Sequence, residues 1–71
     1  MDKSAKYRIK VRGMVPERWH NRLGGLQIVT TDQEVVTLEG LMADQAALNG
    51  VLETLYQLRL PILEVVSLQD H

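Results

Sequence analysis

The stretch Lys6-Tyr7-Arg8-Ile9-Lys10-Val11-Arg12 alternates without a break. Tyr7, Ile9 and Val11 fall on one side and the four cations on the other. Successive side chains of a strand point to opposite faces, so this segment needs a sheet with two unlike faces. One face belongs to a core. The other meets solvent or a partner. Gly13 interrupts the pattern and marks a bulge or a close backbone approach.

The rest of the chain must build that core with little material. Its 71 residues make one domain, 1–71, with 1–5 and 69–71 expected to fray. A chain this short buries only ~60% of its unfolded surface, so its margin of stability is thin. It has no Cys and no Phe. No disulfide can staple it, no thiolate can act as nucleophile or metal ligand, and the core must be aliphatic with Trp19, Tyr7 and Tyr56 as its only aromatics. The 45% hydrophobic content is that of a packed domain. No apolar run approaches the ~20 residues of a membrane span. The segment MDKSAKYRIK lacks the apolar region of a signal peptide, which makes the cytoplasm the expected compartment.

Further along, Pro16 suits the first turn of a helix. Trp19 and Leu23, four apart, would share a face of a short helix over 17–23, which Gly24-Gly25 would stop. LQIVT (26–30) and VVTLEGL (35–41) read as two strands joined by the polar turn TDQE (31–34), with Val36 and Leu38 on one face of the second. Asp44 is a good N-cap for the helix QAALNGVLETLYQLRL, whose inward face runs through Leu48, Val51, Leu52, Leu55, Tyr56 and Leu58 or Arg59. Gly50 in that helix implies close packing of its backbone on the sheet. Pro61 restricts Leu60 and would end the helix there. ILEVVSL (62–68) is a last strand, apolar on both faces apart from Glu64 and Ser67. If Leu63 and Val65 face the helices, Ile62, Val66 and Leu68 join Glu64 on the other face.

The order is that of an α+β, ferredoxin-like β-α-β-β-α-β fold with a short or degenerate first helix. It implies a four-stranded antiparallel sheet, first and third strands central, with one long helix packed on one face. The alternative is β-β-β-α-β, with 16–25 as plain loop.

The segments RGMVPERWHNRLGGLQI and VVTLEGLMADQAALNGVL resemble a group of small uncharacterised bacterial and archaeal proteins. Their shared pattern is a Trp-containing turn ending near a glycine, a T-L-x-G strand and a D-Q-A-A-L-x-G-x-L helix start. Here these are Trp19, Gly25, Thr37 to Gly40 and Asp44 to Leu52, and the likeness covers roughly residues 7–68. Members of the group often carry His where this chain has Asn49, and a second aromatic near Arg22 or Leu23. Those departures weaken any chemistry at either place. The resemblance implies no function. A looser resemblance to ACT-type regulatory domains rests on topology alone.

Charge is the remaining guide. Residues 1–22 carry seven cations against Asp2 and Glu17, while residues 23–71 carry Arg59 against seven acids. The basic row could track a phosphate backbone. Sheet-face RNA binders, however, stack bases on aromatics, and Tyr7 lies on the wrong face for that. Pairing with Glu39 and Glu64 on neighbouring strands is the plainer use.

Catalysis is poorly provided for. The histidines are His20 and His71 alone; His20 with Glu17 falls short of the four ligands, or three plus water, of a zinc site. Ser4 and Ser67 have no triad-like context, Glu39 and Glu64 would stay ionised beside Arg and Lys, and RLGGL lacks the Lys of a phosphate loop. The expectation is a non-enzymatic protein-interaction module without cofactor or metal, self-associating through its sheet as a homodimer or docking on another protein, with no membrane partner and with nucleic acid a lesser candidate. The candidate interaction residues are Arg8, Lys10, Arg12, Glu39, Glu64 and Val66. Trp19, Leu23, Leu48, Leu52 and Leu55 are the expected structural anchors. An ACT-like ligand sensor and nucleic-acid binding through the basic strand are the alternatives.

Overall fold

In the computed structural model, residues 5–68 are described. Ser4, His71 and the ends expected to fray at 1–4 and 69–71 lie outside them. Ala5, expected to fray with its neighbours, instead opens β1 (Ala5–Arg12) opposite Met42. A six-residue 3-10 helix (Glu17–Arg22) follows, then β2 (Leu26–Asp32), β3 (Val35–Met42), α1 (Gln45–Gln57) and β4 (Ile62–Ser67). The four strands form one sheet in the order β2-β3-β1-β4, and every neighbouring pair is antiparallel. The fold is a small α+β domain with a four-stranded antiparallel sheet and one α-helix. β1 and β3 occupy its centre.

The alternation of β1 is realised as read. Ile9 and Val11 are fully buried, opposite Leu38 and Val36 of β3. Leu48, Val51 and Leu55 of α1 close over them, with Val15, Leu23, Leu26, Met42 and Leu60 completing the buried set. Every buried side chain among the described residues is apolar. Complete burial of a Leu such as Leu55 contributes ~1.5–3 kcal/mol, so these positions dominate a thin margin.

Several local expectations are corrected. The turn of the β2–β3 hairpin is only Gln33-Glu34, both with positive φ (50° and 68°), because the right-handed twist of two strands favours a two-residue turn of this hand. Thr31 and Asp32 therefore belong to β2. The helix ends at Gln57, before Pro61 can act. Arg59 turns left-handed (φ 60°), its N–H donates to the Tyr56 carbonyl, and the Leu60 N–H donates to the Leu55 carbonyl at 3.1 Å. This closure satisfies the last carbonyls and brings Leu60 back to Leu55.

Gly50 does not touch the sheet. A Cβ there would meet nothing within 4 Å, because Gly50 lies on the solvent side of α1. Tyr56, expected in the core, is 65% exposed. The helical turn instead centres on Leu48, Val51 and Leu55, with Leu52 half-buried at its flank. Close approach occurs elsewhere. A Cβ on Gly40 would strike the Gly25 carbonyl oxygen, and one on Gly25 would strike that of Leu41. These two glycines let the start of β2 lie tightly on β3.

Candidate interaction surface

The face of the sheet turned away from α1 is built by strict register. Arg8 stands between Glu39 on β3 and Val66 on β4; Lys10 stands between Thr37 and Glu64; Arg12 stands beside Val35. The six candidate interaction residues, Arg8, Lys10, Arg12, Glu39, Glu64 and Val66, thus share one face. Gln27 and Thr30 extend it onto β2. Its ion pair is Arg8 Nε donating to Glu39 Oε2 at 2.7 Å, with both side chains partly exposed. Such cross-strand pairs contribute ~0.2–1 kcal/mol. Lys10 and Glu64 face each other in register, yet Arg8–Glu39 is the ion pair closed within 4.0 Å among the described residues. The basic first third and the acidic remainder meet within one sheet, at least through this pair.

β4 is less regular than its sequence suggests. Its register slips between Lys10 and Val11, leaving Leu63 as an extra residue. A one-residue slip inverts the phase of the alternation. Val65 therefore sits on the helix side opposite Ile9, and Ile62, expected on the open face with Val66, returns to the helix side opposite Val11 and packs on the core. Leu63 and Val65 stay 46% and 42% exposed.

The tryptophan turn is a scaffold piece. In a 3-10 helix residues i and i+3 eclipse, which sets the Arg22 guanidinium over the Trp19 ring at 4.9 Å from its centroid. Trp19 is half-buried against the core, while Leu23, just past the helix, is fully buried. The His20 ring donates from Nε2 to the Val15 carbonyl at 3.3 Å. Arg18, Trp19 and Arg22 line an open hollow of about 340 Å³.

A second recess was not read from the sequence. Ala5, Tyr7, Met42, Asp44, Gln45 and Ala46 line an open cleft of about 560 Å³ at the start of α1. The Asp44 carboxylate accepts from the Ala47 N–H at 2.9 Å and caps the helix there. Tyr7 reads only as a core-face strand residue and Met42 lies just past the strand read over 35–41, so nothing in the sequence reports a recess between them and the start of α1. Among the described residues no three His, Asp or Glu side chains gather as metal ligands would, and no helix is long and apolar enough to cross a membrane.

These features define a small α+β sheet domain with one face covered by a helix and the other presenting a mixed polar and charged surface. The chain belongs to the DUF8691 family, a domain of unknown function, whose match runs over residues 6–66. No curated protein and no solved structure matches it.

Proposed function

We propose that this chain is a small non-enzymatic interaction module that self-associates through its sheet. The observation that carries the reading is the sheet with a single covered face. The chain places α1 and the 3-10 helix on one side, which leaves the Arg8–Glu39 face accessible with Leu41 upon it, while Leu63 and Val65 stay exposed along the β4 edge. Exposed apolar area rimmed by charge is the usual mark of a protein contact. The groups that chemistry would need are otherwise engaged or dispersed: Glu39 is tied to Arg8, the His20 ring to a backbone carbonyl, and Ser67 lies exposed on an edge strand.

The strand order supports a ferredoxin-like reading of the fold. β1 and β2 are parallel, both being antiparallel to the β3 that separates them, and β3 and β4 are parallel across β1. A split β-α-β pair of this kind, with its first helix reduced to Glu17–Arg22, is what supports that reading. The Gly25–Gly40 approach gives the glycine-ended Trp turn and the T-L-x-G segment a shared structural role, which supports taking both as family signatures of bacterial and archaeal relatives.

Light scattering behind size-exclusion chromatography tests the reading. A mass that rises from one chain toward two between low and high micromolar concentration supports it; a constant single-chain mass at high micromolar concentration overturns it. The cleft at the α1 start favours one second reading, a small-ligand sensor. A reproducible rise in melting temperature with an amino acid or nucleotide would support that alternative. The basic strand face supports nucleic-acid binding less, since Arg8 is paired and the aromatic ring of β1, Tyr7, lies on the helix side with Ile9.

A further inference from the structure

The two edges of the sheet differ, and the difference selects how a second copy would join. Among the described residues neither β2 nor β4 has a strand on its outer side. β2 breaks its own register at Val29 and carries Thr30, Thr31 and Asp32, so its edge is bent and polar. β4 carries no Pro and no Lys, the residues that commonly blunt a free edge.

The backbone of β4 has a definite polarity. The Leu68 N–H donates to the Lys6 carbonyl at 2.7 Å, which makes Lys6 and Leu68 a hydrogen-bonded pair. Such pairs alternate along an antiparallel ladder. Arg8 with Val66 and Lys10 with Glu64 are then the next ones. Ser67 and Val65, opposite Tyr7 and Ile9 in non-hydrogen-bonded pairs, direct their N–H and C=O groups away from the sheet. The same residues hold their side chains on the helix side, where α1 leaves Val65 incompletely covered. Val51 approaches Gly24 on the β2 side of the helix. Leu52 and Tyr56 lie around the helix on the opposite flank from Val51.

We infer that β4 pairs antiparallel with β4 of a second copy about a two-fold axis at Val65, extending the two sheets into one of eight strands. This rests on the self-association reading and specifies it. About that axis Val65 meets Val65 and exchanges two backbone hydrogen bonds, and Leu63 meets Ser67. Glu64 of one copy meets Val66 of the other rather than a second Glu64. On the open face Glu64 then stands two strand spacings, ~9.6 Å, from Arg8 of the partner, with Val66 between them. The row reads Glu39, Arg8, Val66, partner Glu64, partner Lys10, so the signs alternate across the joint. An axis at Glu64 would set two carboxylates face to face, which is repulsive. On the helix side the exposed Val65 side chains of both copies meet at the axis.

The absence of cysteine gives a direct test in the full-length chain. Val65→Cys should form a covalent dimer under mild oxidation, since Cα atoms of a hydrogen-bonded antiparallel pair are ~5.5 Å apart and suit a disulfide. Val29→Cys, exposed on the opposite edge, should remain monomeric under the same oxidant. In the wild-type protein the Val65 and Ser67 amides should slow their hydrogen exchange as concentration raises the dimer fraction. Val65→Pro removes only an outward-pointing N–H, and should weaken dimerisation at least roughly tenfold while circular dichroism stays native. A dimer whose Val65 and Ser67 amides exchange at the monomer rate, and which Val65→Cys does not cross-link, overturns the β4 joint but leaves self-association standing. A chain that stays monomeric at high micromolar concentration overturns both.

Discussion

The chain crosses from one strand to a parallel one twice, and builds the two crossings differently. Between β1 and β2 it uses a six-residue 3-10 helix with no buried residue. Between β3 and β4 it uses the thirteen-residue α1, which buries Leu48, Val51 and Leu55. Two turns of 3-10 helix eclipse their side chains and present a narrow ridge, spent here on Trp19 under Arg22. More than three turns of α-helix present a continuous apolar stripe. The short crossing contributes to the core mainly through residues beside it, Val15 and Leu23, whereas the long one contributes through its own face. A crossing can be topologically complete without being energetically equivalent.

Substitutions can break or sharpen this contrast. Leu55→Ala removes a fully buried side chain from the long crossing and should cost about 3 kcal/mol, enough to leave much of this small domain unfolded in a urea titration. Trp19→Ala should cost about 2 kcal/mol, below the ~3–5 typical of fully buried Trp, because the indole is only half-buried. Trp19, expected with Leu23 as a structural anchor, packs on the core but is only partly enclosed by it. If the Trp19 variant lost as much stability as the Leu55 variant, the two crossings would be equal partners after all. Gly50→Ala should stabilise by roughly 0.5–1 kcal/mol, seen as a higher melting temperature, since the added methyl meets open space on α1. A loss there would mean that the solvent side of the helix is wrongly assigned. Arg22→Ala should cost about 0.5 kcal/mol through its exposed stacking on Trp19. His20→Ala should stay within ~0.5 kcal/mol in the same chemical denaturation assay.

The local turns carry a related lesson. Gln33, Glu34 and Arg59 all adopt positive φ without being glycine. The chain tolerates this because the hairpin and the α1 end are held by long-range contacts, among them Gly13 N–H to the Glu34 carbonyl and Leu60 on the core. Asn or Gly at these places would have announced both turns, and their absence left the ends of β2 and α1 displaced in the reading from spacing.

Periodicity within an element proved dependable. The period of two in β1 and the N-cap and spacing of α1 assigned both elements, and they placed Ile9, Val11, Leu48, Val51 and Leu55 inside and Arg8, Lys10 and Arg12 together outside. The candidate surface was legible to the same extent, since Glu39, Glu64 and Val66 needed only the strand order to join that row. Three things were settled by packing alone. The turn around Trp19 tightened to a 3-10 helix, Tyr56 fell outside the contact between helix and sheet, and one extra residue at Leu63 moved Ile62 to the opposite face. Spacing reports the phase of a side chain within its own strand or helix. Which flank a neighbour covers, and whether a bulge inverts that phase partway along, depends on elements distant in the chain.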